Sequence, residues 1–296
     1  MKFNKIFVML LFLTAFTLAA CTPASPAKTG NTIGVTVSIL PEKYFVERIG
    51  GSLVSVNVMV GSGADPHTYE PKPAQMAALS NSAIFFPIGV DYETAWLERI
   101  TASNPKLKIV DLSEGIQKLP MPSHQDEPGA ADGKGLDPHV WTSPALVSSM
   151  AERIYAELAA LDPANEPAFK TNLDAFKKDI DTLDLEIHAS LDGLANRRFM
   201  VFHPGWAYFA KDYALEEIPI EIGGAEPSAS ELADLIDTAK AQNIKVIFAQ
   251  PEFSTQIAKY IAKEIGGEVT LISNLSENWL QNLKDVALIL KKSLES

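Results

Sequence analysis

NEPAFKTNLDAFKKDIDTLDLEIHASLDGL, running from Asn165 to Leu194, keeps one apolar helical face for longer than any other part of the chain. Phe169, Leu173, Phe176, Ile180, Leu183, Ile187, Leu191 and Leu194 recur at steps of three and four, while Lys170, Lys177, Lys178, Asp181 and Glu186 take the opposite side. A helix of that span reaches roughly 45 Å, enough to run the length of a whole domain instead of crossing one layer. On both sides of it, short apolar stretches alternate with amphipathic ones. The predicted fold is therefore α/β, with two lobes of parallel-sheet βα units joined by one long backbone helix. The boundaries expected are 32–163 for the N-terminal lobe, 164–195 for the connecting helix and 196–296 for the C-terminal lobe. A ligand would sit between the lobes.

In the N-terminal lobe, IGVTVSIL (33–40), VSVNVMV (54–60), AIFFPIG (83–89) and LKIVDL (107–112) read as strands. Helices are expected from Pro41 to Ile49, from Pro73 to Ser80 and from Glu93 to Ala102, the first opened by proline and stopped by Gly50-Gly51. Residues 115–136 lose periodicity and gather Pro120, Pro122, Pro128, Gly129, Gly133 and Gly135, the composition of a surface loop. A helix from Pro144 to Leu161 then leads to the long one. The C-terminal lobe repeats the alternation: strands Phe199–His203, Ile218–Ile222, Lys245–Ala249 and Glu268–Ile272, helices Trp206–Tyr213, Ser228–Gln242, Thr255–Ile265 and Glu277–Leu294.

The chain begins with Lys2 and Lys5, an apolar run from Ile6 to Ala20, and then Cys21. Residues 1–20 read as a signal peptide, too short in its apolar part for a comfortable membrane span. Leu18-Ala19-Ala20-Cys21 resembles the lipobox of bacterial lipoproteins, which makes Cys21 the expected lipidation site and residues 21–31 a tether. Cys21 is the only cysteine in the sequence, which excludes an intramolecular disulfide and a thiolate cluster. The 25 Lys and Arg against 37 Asp and Glu leave a formal charge of −12, and loss of Lys2 and Lys5 with the signal makes the mature chain more acidic still. Such a surface repels nucleic acid and suits an exported protein that meets cations.

Three of the five histidines occupy a particular kind of place: His67 and His139 in loops of the first lobe, His203 at the end of a strand in the second. Open α/β sheets bind ligands beyond the carboxyl ends of their strands, so these side chains can face one cleft. Imidazole suits zinc and other late divalent ions, and three of them leave one position for a carboxylate or water. The three are far apart in the chain, so only the fold can assemble them. His124, in the loop, and His188, on the long helix, are not expected to take part.

The words around the three histidines are Asp65-Pro66-His67-Thr68-Tyr69-Glu70-Pro71, Asp137-Pro138-His139-Val140-Trp141, and Val201-Phe202-His203 followed by Tyr208-Phe209. With Glu226-Pro227-Ser228, the run from Ile247 to Ser254 and the lipobox cysteine, they resemble the solute-binding lipoproteins of ABC importers for zinc and manganese over essentially the whole mature chain. The resemblance implies two α/β lobes on one long helix, a metal held between them by His67, His139 and His203, and delivery to a membrane ABC permease with its ATPase. It implies a monomer outside the cytoplasm, anchored to a membrane by lipid. Family members usually carry Asp-Pro-Leu after the last strand, where this chain has Ser273-Asn274-Leu275. Asp65, Glu252 or the Asn274 carbonyl are the substitutes at hand. Loss of a hard oxygen favours Zn²⁺ over Mn²⁺ as the ligand carried. Gln117–Leu136, with His124, Asp126, Glu127 and Asp132, stands where many zinc members have a long histidine-rich loop.

Other readings of the same residues are a manganese or iron receptor of this family, a surface adhesin, and a receptor that has lost affinity. An enzyme is the rival of another class, since three histidines with an open position also describe a catalytic zinc served by Glu252, Glu221 or Asp65. The sequence holds no phosphate-binding glycine loop, no Gly-x-Ser-x-Gly elbow and no catalytic cysteine, and the expectation is a binding protein without catalysis.

Overall fold

Two four-stranded parallel sheets share one strand order, with the second strand at one edge. The first sheet holds β1 (Ile33–Val37), β2 (Val54–Val58), β3 (Ile84–Phe86) and β4 (Lys108–Ile109), connected through α1 (Leu40–Gly50), α2 (Pro73–Ser80) and α3 (Asp91–Ser103). α4 (Pro144–Leu161) and α5 (Glu166–Leu191) follow. The second sheet holds β5 (Arg198–Val201), β6 (Glu216–Pro219), β7 (Val246–Ala249) and β8 (Glu268–Leu271), with α6 (Ala207–Asp212), α7 (Ala229–Ala241), α8 (Gln256–Ile265) and a closing α9 (Trp279–Leu294). This computed structural model describes residues 32–122 and 135–295. The expected signal segment, Cys21, the tether and His124 lie outside those residues. Both sheets belong to one compact unit, Thr32–Ser296.

The apolar steps of the long helix become its buried face. Phe169, Leu173, Phe176, Ile180, Leu183, Ile187 and Leu191 are all buried, and α5 packs on α1, α4 and α9. One continuous hydrophobic cluster therefore runs from Val35 and Phe45 through α5 to Phe199, Trp206 and Trp279, so the same helix forms a wall of both lobes. At 26 residues α5 is shorter than the stretch read from the sequence, because Asp192 leaves the helical conformation and Gly193 takes a φ of 71°. Leu194 stays buried beyond the helix end.

Strands β3 and β7 are buried at every residue, as expected of central parallel strands covered on both faces. The strand expected over Leu107–Leu112 shortens to Lys108–Ile109, an edge pair beside β3 whose ladder continues only as single bonds from Val110 and Leu112. Buried carboxylates tie the loops after the first-lobe strands. Glu42 accepts from Ser38 and Ile39 N–H at 2.9 and 3.0 Å, and Glu93 accepts from Ile88 and Gly89 N–H at 3.0 and 2.8 Å. Burial pushes the Glu93 carboxyl up to about 7, against the hydrogen bonds it receives. The start of α3, which carries Asp91, is thereby fastened to the end of β3.

Candidate metal centre

Each histidine is held by a local device before it meets the others. In Asp65-Pro66-His67 the Asp65 carboxylate accepts from His67 N–H at 2.9 Å and from the Thr68 hydroxyl at 2.8 Å, a side-chain turn that takes up both of its oxygens. Asp137-Pro138-His139 repeats the turn, with Asp137 Oδ1 accepting from His139 N–H at 2.8 Å. The strand expected over Phe199–His203 stops at Val201, so His203 lies two residues beyond β5, where the fully buried Gln250 side chain grips its backbone from both sides, donating to His203 C=O at 2.7 Å and accepting from its N–H at 3.3 Å. Phe253 stacks on the His203 ring with centroids 4.4 Å apart and planes 19° from parallel.

The fold brings all three together. Ring centroids are separated by 5.5 Å for His67 and His139, 4.9 Å for His67 and His203, and 5.2 Å for His139 and His203. One nitrogen from each lies within 4.8 Å of the other two, the one such group among the described residues. His139 and His203 are 1% and 5% exposed, and His67 is part-buried. His188 is elsewhere, on the solvent side of α5 with its ring against the edge of Tyr213 at 4.8 Å.

A carboxylate holds Nδ1 of every ring at the same distance. His67 bonds Asp91, His139 bonds Asp137 and His203 bonds Glu221, each at 2.7 Å. An ionised carboxylate only accepts, so Nδ1 carries the hydrogen and the neutral ring keeps its lone pair on Nε2. Those Nε2 atoms point at one another. His139 Nε2 and His203 Nε2 are 3.3 Å apart, and the buried His67 Nε2 has no hydrogen-bond partner. Three converging lone pairs, two at contact distance, repel unless a cation or a proton stands between them. Carboxylate partners on the far nitrogen are the usual support of metal-bound histidines, fixing the tautomer and raising basicity.

Electrostatics differ around the ring. Burial above all holds His203 down to about 4, with His139 and His67 adding to the effect and Glu221 opposing it. Burial also works to lower His67, but the hydrogen bond and charge of Asp91, with Asp65 and Glu221 behind, leave its pKa raised. Asp91 is lowered in turn, first by its hydrogen bond to His67.

Sequence reading found the three rings and not their partners. Asp137 was legible in its own Asp-Pro-His word. Glu221 follows β6, and the ladder carries on as Ile220 N–H to Val201 C=O at 2.8 Å and Glu221 N–H to Phe202 C=O at 2.9 Å, which sets it beside His203. Asp91 opens α3 after a different strand, and no local signal ties it to His67. The expected substitutes for a fourth ligand are largely engaged. Both Asp65 oxygens serve its turn, and the Asn274 carbonyl accepts from Trp141 Nε1 at 2.7 Å. Glu252 accepts from the Ser273 hydroxyl at 2.9 Å through one oxygen, while its buried Oε2 has no hydrogen-bond partner, and it lies outside the group formed by the three rings.

Comparison with known proteins agrees with this architecture. The family described as zinc-uptake complex component A, periplasmic, matches residues 35–293. Zinc-binding lipoprotein AdcA of Streptococcus pneumoniae is 27% identical over 280 residues, which cover 92% of this chain and 55% of AdcA. The chain thus spans about half the length of that curated relative. The high-affinity zinc uptake system protein ZnuA of Bacillus subtilis is 27% identical over 270 residues, covering 87% of this chain and 84% of that protein. A crystal structure of a ZnuA deletion mutant with zinc bound is 46% identical with a TM-score of 0.83, covering 89% of this chain and 98% of that one. Matched along nearly all of its two α/β lobes and sharing their fold, the chain belongs to the zinc-uptake complex component A family.

Proposed function

We propose that this chain is the extracytoplasmic substrate-binding component of an ABC importer, carrying Zn²⁺ on Nε2 of His67, His139 and His203 and delivering it to a membrane permease with its ATPase. The observation that carries the reading is the convergence of three Nε2 lone pairs whose Nδ1 atoms are each engaged by a carboxylate. Three neutral nitrogens and no carboxylate in the group favour zinc over manganese, which prefers oxygen-rich octahedral shells. The three carboxylates behind the rings supply the charge that a divalent cation offsets. In this reading residues 1–20 are removed as a signal, Cys21 carries the lipid, 21–31 form the tether, and the protein acts as a monomer without catalysis. No described helix is long and apolar enough to cross a membrane. The lobes are 32–163 and 196–296, with 164–195 between them.

Titration of the metal-stripped protein against a chromophoric chelator tests this. One Zn²⁺ per chain is expected, with Mn²⁺ held about a hundredfold more weakly or worse. Failure to hold either ion tightly overturns the reading. Glu221→Gln keeps the shape of the side chain that holds His203 Nδ1 but removes its charge, and is expected to weaken zinc about tenfold to a hundredfold. The same titration, run beside a thermal melt that stays near wild type, checks this second expectation.

A further inference from the structure

His203 is anchored from three directions. Glu221 takes Nδ1 at 2.7 Å, Phe253 stacks on the ring with centroids 4.4 Å apart, and Gln250 holds the backbone. The third anchor replaces a sheet ladder. β5 and β7 pair through Val201 and Phe248, and the pairing carries on in the bond from Phe202 N–H to Phe248 C=O at 2.8 Å. His203 and Gln250 are then each followed by a proline, Pro204 and Pro251, which has no N–H to donate. Here the Gln250 side chain takes over, with Nε2 donating to His203 C=O at 2.7 Å and Oε1 accepting from His203 N–H at 3.3 Å. Gln250 is fully buried, and Phe253 N–H closes a turn onto Gln250 C=O at 3.2 Å, so one turn carries both the backbone grip and the ring contact.

A side chain in that place must donate and accept at once. A carboxamide does both, an ionised carboxylate only accepts, and an apolar chain does neither. The cluster gives the grip its purpose, because His203 Nε2 stands 3.3 Å from His139 Nε2 and a working donor atom has to be held within about 0.5 Å of its place. Glu221 and Phe253 fix how the ring is turned, and the main-chain grip fixes how far it reaches. We propose that Gln250 is a positioning residue of the metal site: its carboxamide clamps the His203 backbone so that Nε2 arrives where the two first-lobe histidines can share a cation with it. The inference rests on the three-histidine reading above.

The test uses the full mature chain as wild type, Gln250→Met and Gln250→Asn. Chelator competition measures Zn²⁺ affinity, the visible bands of the Co²⁺-loaded protein report the geometry of the ligands, and a thermal melt of the metal-free protein reports folding. Gln250→Met keeps the length of the side chain and removes both hydrogen bonds. It is expected to weaken Zn²⁺ about tenfold or more and to shift the Co²⁺ bands. Gln250→Asn keeps the carboxamide but draws it back by one methylene, and a smaller loss in the same direction is expected, again with shifted bands. A role confined to fold stability would lower the melt and leave the Co²⁺ bands of the folded protein where they were. Wild-type affinity or unchanged Co²⁺ bands in folded Gln250→Met overturns the proposal. Should that variant not fold, the same result in Gln250→Asn overturns it equally. Wild-type protein that holds no metal overturns the three-histidine reading beneath it, so the two failures are told apart.

Discussion

Alanine at His203 is expected to cost more than about a hundredfold in zinc affinity. The bound comes from comparison with its support: losing a group that only orients a metal-bound histidine costs about tenfold to a hundredfold, and removing the ring takes away both the donor and its orientation. His203 is the one member of the cluster that follows a strand of the second sheet, two residues past β5, while His67 and His139 precede the long helix. Without it the two remaining nitrogens offer an open, two-coordinate site. His188→Ala is the control, since that ring lies on the outer side of α5 against Tyr213 and outside the cluster. Chelator competition on both variants decides the matter: wild-type affinity in His203→Ala would show that metal binds somewhere else, and a matching loss in His188→Ala would show that the effect is not local.

Phe176→Ala is expected to lower unfolding free energy by about 3–5 kcal/mol. Its ring is fully buried at the middle of α5, with centroids 6.0 Å from Phe45, 5.9 Å from Tyr44 and 6.3 Å from Trp279. The Arg48 guanidinium lies 5.0 Å from the ring centroid. These neighbours come from α1 in the first lobe and α9 at the chain end, so they cannot close a cavity by a shift of one element alone. Leu185, on the same helix but 69% exposed, is the contrast: Leu185→Ala is expected within about 0.5 kcal/mol of wild type. Equilibrium urea unfolding at matched pH measures both. Equal losses in the two variants would mean that α5 does not form the shared wall.

The agreement between sequence and structure is closest where a pattern is written in neighbouring residues. The helices from Pro73 to Ser80 and from Pro144 to Leu161 occur with the expected bounds, both opened by proline, and the α5 apolar steps are all buried. Agreement weakens at strand ends, as in the shortened β4, because a strand needs a partner and its length is set by that partner.

By itself, the sequence determined the α/β class, the single long helix and the three histidine words, since helical periodicity, strand composition and Asp-Pro-His turns depend on residues a few positions apart. Only the tertiary structure decided that His67, His139 and His203 meet, and that Asp91 at the start of α3 and Glu221 beyond β6 hold two of them. The physical reason is the crossover. In a parallel sheet each crossover returns the chain to the same end of the next strand, so residues distant in sequence become neighbours at the carboxyl ends, and no local pattern records which of them will touch.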